Sequence, residues 1–185
     1  MIKRAIEERI LTALAKKKVV TIMGPRQVGK STLAGAMIPK DAKVLEINGD
    51  NTDVQTMFVD VDESKMKVLI GNNNFLLVDE AQKIGNVGNM LKIVAEKFND
   101  IKIIVTGSSA FKLAAAVNES LTGRKREFRL YPLSFKEMAD DTSALEETRM
   151  IDHRLVYGYY PEVVTSPGDE KEVLRELIDS YLYKD

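Results

Sequence analysis

The sequence predicts an α/β fold: a mainly parallel sheet with helices on both faces, in three layers, followed by a small helical C-terminal segment. Three observations carry this expectation. Short apolar runs recur along the chain with helix-length segments between them, the order that builds parallel sheets. The first clear strand-like run, VVTIM at residues 19–23, leads straight into the glycine-rich stretch GPRQVGKS at 24–31. Two further runs end in polar clusters, FLLVDEAQ at 75–82 and IKIIVTGSSA at 101–110, and such sheets bind ligands at the carboxyl ends of their strands.

The elements follow in order. MIKRAIEERILTALAKKK sets Ile2, Ile6, Ile10 and Leu14 four apart, on one helical face. Residues 19–23 form a short buried strand. A helix opens near Lys30 and stops before Pro39, because the residue preceding proline is pushed out of the helical region. Residues 43–47 make a second strand. The polar, acidic stretch 48–63 reads as loop, with a short helix over 64–70 and a turn at Asn72-Asn73-Asn74. A strand over 75–78 precedes a helix with Val87, Leu91, Val94 and Phe98 on one face. Strand 101–105, helix 111–117 and strand 127–130 come next. After Pro132 the pattern turns helical over 134–138 and 144–157, and a last amphipathic helix from near Asp169 carries Val173, Leu174, Leu177, Ile178 and Tyr181. The expected organisation is a core over 1–133 with its N-terminal helix, and a helical segment over 134–185.

Composition narrows the chemistry. The 185 residues are 44% hydrophobic and 30% charged, the profile of a folded globular chain. A net charge of −1 gives no whole-molecule attraction to nucleic acid or anionic membranes. The absence of cysteine excludes disulfides, zinc–thiolate sites and thiol nucleophiles, and a single histidine, His153, excludes a histidine-rich metal centre. No stretch is apolar and long enough to span a membrane, and the charged N-terminus has no signal core. The expectation is a reducing, cytoplasmic setting with no membrane partner.

The stretch at 24–31 fits G-x-x-x-x-G-K-[ST], with Gly24, Gly29, Lys30 and Ser31 in the defining places. Glycines let the backbone curl so that several N–H groups point inward at phosphate, and the next helix presents its positive end to the same anion. Lys30 neutralises charge on the β- and γ-phosphates, and the Ser31 hydroxyl suits Mg2+. Pro25, Arg26, Gln27 and Val28 complete the loop and Thr32 the first helical turn, so residues 24–32 are assigned to ATP. Arg26 and Gln27 fit phosphate, a neighbouring subunit or solvent equally well.

At the end of the 75–78 strand, Asp79 can hold Mg2+ and Glu80 can orient and polarise a water attacking the γ-phosphate. The competing reading is an acidic strand end facing solvent. After 101–105, Thr106 or Ser108 can hydrogen-bond the γ-phosphate or that water, or simply cap the next helix. Both remain candidates.

With these three motifs in this order the chain resembles the additional-strand, catalytic-glutamate branch of P-loop NTPases, specifically AAA+-like ATPases. Within that branch it is similar to a bacterial and archaeal family carrying GPRQxGK, DEAQ or DEIQ, TGSS and GR-x-x-x-x-x-L-x-P-L-S-F-x-E. Here those segments read GPRQVGK, DEAQ, TGSS and GRKREFRLYPLSFKE, and GYYPEVV matches a later GGYPEVV. The matches run from the first helix to Tyr183. The resemblance implies a P-loop NTPase sandwich, with Lys30 and Ser31 on phosphate and metal, Asp79 on the metal and Glu80 activating water. It also implies an arginine finger at Arg124, which would require a homo-oligomer if it serves a neighbour's nucleotide. RKREFR also reads as a solvated strand edge or, through Lys125, Arg126 and Arg129, as a phosphate-contacting patch for nucleic acid. The chain departs from the family's first glycine at Tyr157 or Gly158. It has no clear second sensor arginine, Arg154 and Arg175 reading as surface ion pairs. Family members continue into a C-terminal domain beyond a segment like YLYKD, so this chain is expected to be a piece of a longer protein.

The leading expectation is Mg2+-dependent ATP hydrolysis acting on an unidentified protein or nucleic-acid partner. A small-molecule or nucleotide kinase and a regulatory ATP-binding module with little turnover are the alternatives. A GTPase is disfavoured because no N-K-x-D segment occurs.

Overall fold

The computed structural model describes residues 1–108 and 121–182, which group into two compact units. One consists of the described parts of Ile6–Pro25 and Lys30–Leu130. The other consists of Met1–Ala5, Arg26–Gly29 and the described part of Tyr131–Asp185. The helix expected over 111–117 lies outside the described residues.

The first unit holds the sheet. Its strands are β1 (Val19–Met23), β2 (Val44–Asn48), β3 (Phe75–Asp79), β4 (Lys102–Gly107) and β5 (Lys125–Arg129), all parallel, in the order β2-β3-β4-β1-β5. Every residue of β1 is buried, and the first four of β3 are as well. Successive side chains of a strand point to opposite faces, so both faces of these strands are covered. Val19, Leu76, Val78, Ile103 and Val105 share one core with Met66 and Ile70 of α4 (Glu63–Ile70) and Met90, Leu91 and Val94 of α5 (Val87–Lys97). Helix α1 (Glu7–Ala15) packs on β1, and α2 (Lys30–Ala36) packs on β1 and β4 with Leu33 and Ala34 buried.

Two sequence expectations shift here. Helix α1 starts only at Glu7, so Ile10 and Leu14 sit in its buried stripe while Ile2 precedes it. The stretch read as loop contains a helix, α3 (Thr52–Met57). None of its residues is fully buried, so it leaves no apolar periodicity for sequence reading to detect.

The second unit is helical: α6 (Phe135–Asp141), α7 (Ala144–Arg149), α8 (Ile151–Tyr157), α9 (Pro161–Thr165) and α10 (Glu170–Leu182). The single helix expected over 144–157 is two helices meeting at Met150, whose N–H is shared between the carbonyls of Glu146 and Glu147. Val163, Val173 and Leu177 form a small core with Leu174 against it, while Ile178 is exposed. Arg154 pairs with Glu147 at 3.1 Å, and both side chains are buried rather than at the surface as expected. Burial and the neighbouring Glu147 raise the Tyr159 hydroxyl above its ordinary pKa.

Candidate functional site

The position of β4 decides which residues meet. It lies between β1 and β3, with Ile22 opposite Thr106 on one side and Val78 opposite Val105 on the other. This register brings the carboxyl ends of the three strands into line. Residues opposite each other in a parallel pair share a face, so Asp79, one beyond Val78, falls on the face of Thr106.

Side-chain contacts follow that geometry. The Ser31 hydroxyl donates to both carboxylate oxygens of Asp79, at 3.0 and 2.9 Å, and the Thr106 hydroxyl donates to Asp79 Oδ1. The Glu80 N–H donates in turn to Thr106 Oγ1 at 3.3 Å. Lys30 is buried at the start of α2, its ammonium donating to the Pro25 carbonyl at 2.7 Å. Thr32, two residues on, is exposed. Gly24 and Pro25, at the exit of β1, are half-buried.

Glu80 belongs to a second group. The Gln82 amide donates to Glu80 Oε2 and, at 2.9 Å, to Ser108 Oγ, while the Ser108 N–H donates to Gln82 Oε1 at 3.3 Å. Ser108 Oγ itself lies 3.4 Å from Glu80 Oε2. The two hydroxyls that sequence left as alternatives therefore do different things: Thr106 meets Asp79, and Ser108 meets Glu80 through Gln82.

Glu80 adopts left-handed backbone angles, φ 48° and ψ 42°, which ordinarily cost an L-residue about 1–2 kcal/mol. Its backbone is packed from the side by Gly49, whose N–H donates to the Asp79 carbonyl at 2.9 Å. Gln82 and Gly49 received no role from the sequence. Gln82 was visible only as the last letter of DEAQ, and Gly49 stood in the unassigned NGDN.

The loop residues Arg26, Gln27, Val28 and Gly29 group with the second unit. Gln27 has φ 57° and Gly29 φ 93°, the second a conformation that favours glycine. Val28 is fully buried and Gln27 exposed.

Arg124 is not in this constellation. The Val19 N–H donates to its carbonyl at 2.9 Å and Lys125 lies opposite Val19, so Arg124 sits at the amino ends of β1 and β5. Five strand residues separate the two ends, about 16 Å at the usual rise. Its guanidinium pairs with Glu96 at 2.5 Å. On β5, Lys125 pairs with Glu127 at 3.2 Å, while Arg126 and Arg129 are exposed.

The donors fit a hard divalent cation. Ser31 and Asp79 offer hydroxyl and carboxylate oxygens, the ligands Mg2+ prefers. Among the described residues no group of three or more His, Asp or Glu could hold a metal unaided, so Mg2+ here would draw further oxygens from substrate and water. No helix among the described residues is long and apolar enough to cross a membrane.

Comparison with known proteins shows the family and the fold. The chain is 26% identical over 201 residues to an uncharacterized protein of Methanocaldococcus jannaschii, covering 98% of this chain and 45% of that one. It is 27% identical over 142 residues to an uncharacterized protein of Mycobacterium tuberculosis, covering 76% and 31%. The chain thus spans less than half the length of these relatives. Among solved structures, the Walker-type ATPase of Pyrococcus abyssi superposes with a TM-score of 0.63 at 17% identity, covering 97% of this chain and 72% of that one. Residues 16–139, more than half of the sequence, match the family described as AAA domain. The chain belongs to that family, and its fold is that of the P-loop ATPases.

Proposed function

We propose that the chain binds Mg2+-ATP through residues 24–32 and hydrolyses it, coupling turnover to conformational change or assembly on a partner. The observation that carries this reading is the meeting of Ser31, in the first turn of α2, with Asp79 and Thr106 at the ends of β3 and β4. Ser31 and Asp79 would hold Mg2+, which when bound would supply positive charge against the negative charge developing on the transferred phosphoryl group. Lys30 adds a fixed positive charge toward the same phosphates. Ser31 and Asp79 hold the metal, and Thr106 fixes the orientation of the Asp79 carboxylate. Glu80 orients the attacking water and accepts its proton; Ser108 and Gln82 set the direction of that carboxylate.

Arg124 faces away from its own site, so a finger role requires a neighbouring chain and release from Glu96. Phosphate release per chain should then rise with protein concentration, and Arg124→Ala should lower it by about 10³-fold.

The test of hydrolysis is Mg2+-dependent phosphate release from ATP with no acceptor added. Glu80→Gln is expected to keep nucleotide binding and lose about 10²–10⁴-fold in turnover. Unchanged turnover would remove Glu80 from the base role. A second reading, ATP binding with slow turnover, draws on the Gln82 amide already engaging Glu80. It predicts negligible release by the wild type and acceleration in Gln82→Ala.

A further inference from the structure

Arg4 precedes the first helix and belongs to none of the nucleotide motifs. It is only 7% exposed. Its Nε donates to Glu137 Oε1 at 3.1 Å. Nη1 donates to the Val28 carbonyl at 3.2 Å, and Nη2 to the Tyr131 carbonyl at 2.5 Å with the Pro132 carbonyl at 3.5 Å. A planar fork meets acceptors in these several directions, which a lysine ammonium cannot reproduce.

Glu137, the last letter of the PLSFKE segment, is equally committed. Its Oε1 also accepts from the Ala5 N–H at 2.8 Å. Its Oε2 accepts from the Ser134 N–H at 2.8 Å and hydroxyl at 3.0 Å, closing a capping box at the start of α6. A segment that nucleotide chemistry left unexplained thus anchors the arginine that grips the phosphate loop.

The grip has a directional consequence. In a trans peptide the carbonyl and the following N–H point in opposite directions, and no cis peptide occurs among the described residues. Holding the Val28 carbonyl therefore turns the Gly29 N–H the other way, and Gly29 sits at φ 93°. We infer that Arg4, held by Glu137, is a positioning residue for the phosphate loop: it fixes the Val28–Gly29 peptide so that the Gly29 N–H faces the bound phosphate. The inference rests on the nucleotide-binding reading above.

Calorimetric titration of the whole chain with Mg2+-ADP, together with amide spectra of the glycine-labelled protein, tests it. The wild type should show a large downfield shift of the Gly29 N–H on binding. Arg4→Lys should bind about 10–100-fold more weakly, the value of one hydrogen bond to a charged group, and lose that shift while Gly107 and Gly123 keep their wild-type positions. Glu137→Gln should fall between the two. If Arg4→Lys does not fold, the wild type decides alone: the Arg4 guanidinium resonances should move on ADP saturation, and their indifference overturns the inference. Variants that bind ADP as the wild type does, with the Gly29 shift intact, overturn the inference only. A wild type that binds no adenine nucleotide overturns the nucleotide reading, and this inference falls with it.

Discussion

Replacing Gly49 with alanine perturbs the site without altering any of its polar groups. An ideal Cβ at this position falls 2.4 Å from the Glu80 carbonyl oxygen, 3.1 Å from the Glu80 carbonyl carbon and 3.2 Å from Ile84 Cγ1. Carbon and oxygen rarely approach closer than about 3.3 Å, so the Glu80 peptide or the end of β2 must retreat by about 1 Å. The obstructing atom is backbone, in a residue already held at φ 48°, so no rotamer change relieves the clash. Overpacking of this kind typically costs about 1–3 kcal/mol. A displacement of about 1 Å in a catalytic group costs on the order of 10²-fold in rate. Gly49→Ala should therefore lower the melting temperature by about 2–12 °C and phosphate release by about 10²-fold. Its affinity for Mg2+-ATP should change little, because the atoms nearest the added methyl belong to Glu80 and Ile84. Gly35→Ala is the matched control. Its methyl meets nothing within 4 Å and lies in α2, so it should add up to about 1 kcal/mol of stability. Wild-type melting and turnover in Gly49→Ala would refute the reasoning.

Two further outcomes follow from buried polar groups. Thr21 is buried in β1 and its hydroxyl has no hydrogen-bond partner among the described residues, so Thr21→Val, nearly the same shape, should gain about 1 kcal/mol and raise the melting temperature by about 2–4 °C; a destabilised variant would show that the hydroxyl is satisfied in solution. Burial pushes the Glu137 carboxyl up, but hydrogen bonds from the Ala5 and Ser134 backbone and from Arg4, with the Arg4 charge, outweigh it and hold the group below the ordinary carboxylate range. A lowered pKa means stability that is present above the unfolded value, about 4.3, and is lost as pH falls through the folded value. Chemical denaturation from pH 7 to pH 3 should show the wild type more stable than Glu137→Gln at neutral pH, with the gap closing in acid; a gap independent of pH would contradict the assignment.

The parts of the fold legible in the sequence are those whose signal is local. The strand over 19–23 has its boundaries marked by apolar residues on both sides of the sheet and by the glycine that follows. Ser31 and Asp79 were assigned to one metal from their motifs, and they lie within hydrogen-bond reach across 48 residues of chain. What sequence missed depends on register or on through-space packing. Thr106 and Ser108 looked interchangeable because both follow the same strand; only the position of β4 beside β3 separates their partners. Gly49 looked like an ordinary turn residue because its neighbour, the Glu80 carbonyl, is 31 positions away. Arg4 drew no reading from the sequence, because its acceptors include backbone carbonyls that no residue type announces.

The left-handed turn at Glu80 links these observations. A regular strand would already send Asp79 and Glu80 to opposite faces. Here the strand ends at Asp79, and the turn directs the second carboxylate to Gln82 and to Ser108 at the end of β4. Asp79 stays with Ser31 and Thr106 on the other network. Adjacent carboxylates are thereby divided between two hydrogen-bond networks, the division that the proposed roles of Asp79 toward metal and Glu80 toward water require. On the proposed function, a change confined to Gln82 or Ser108 should re-aim Glu80 without moving Asp79 and alter turnover with nucleotide affinity unchanged. Gly49 lies against the turn that makes the division, and Arg4 grips the loop proposed to bind nucleotide. Variants at these two glycine-linked points should therefore separate: Gly49 should act on rate and Arg4 on binding.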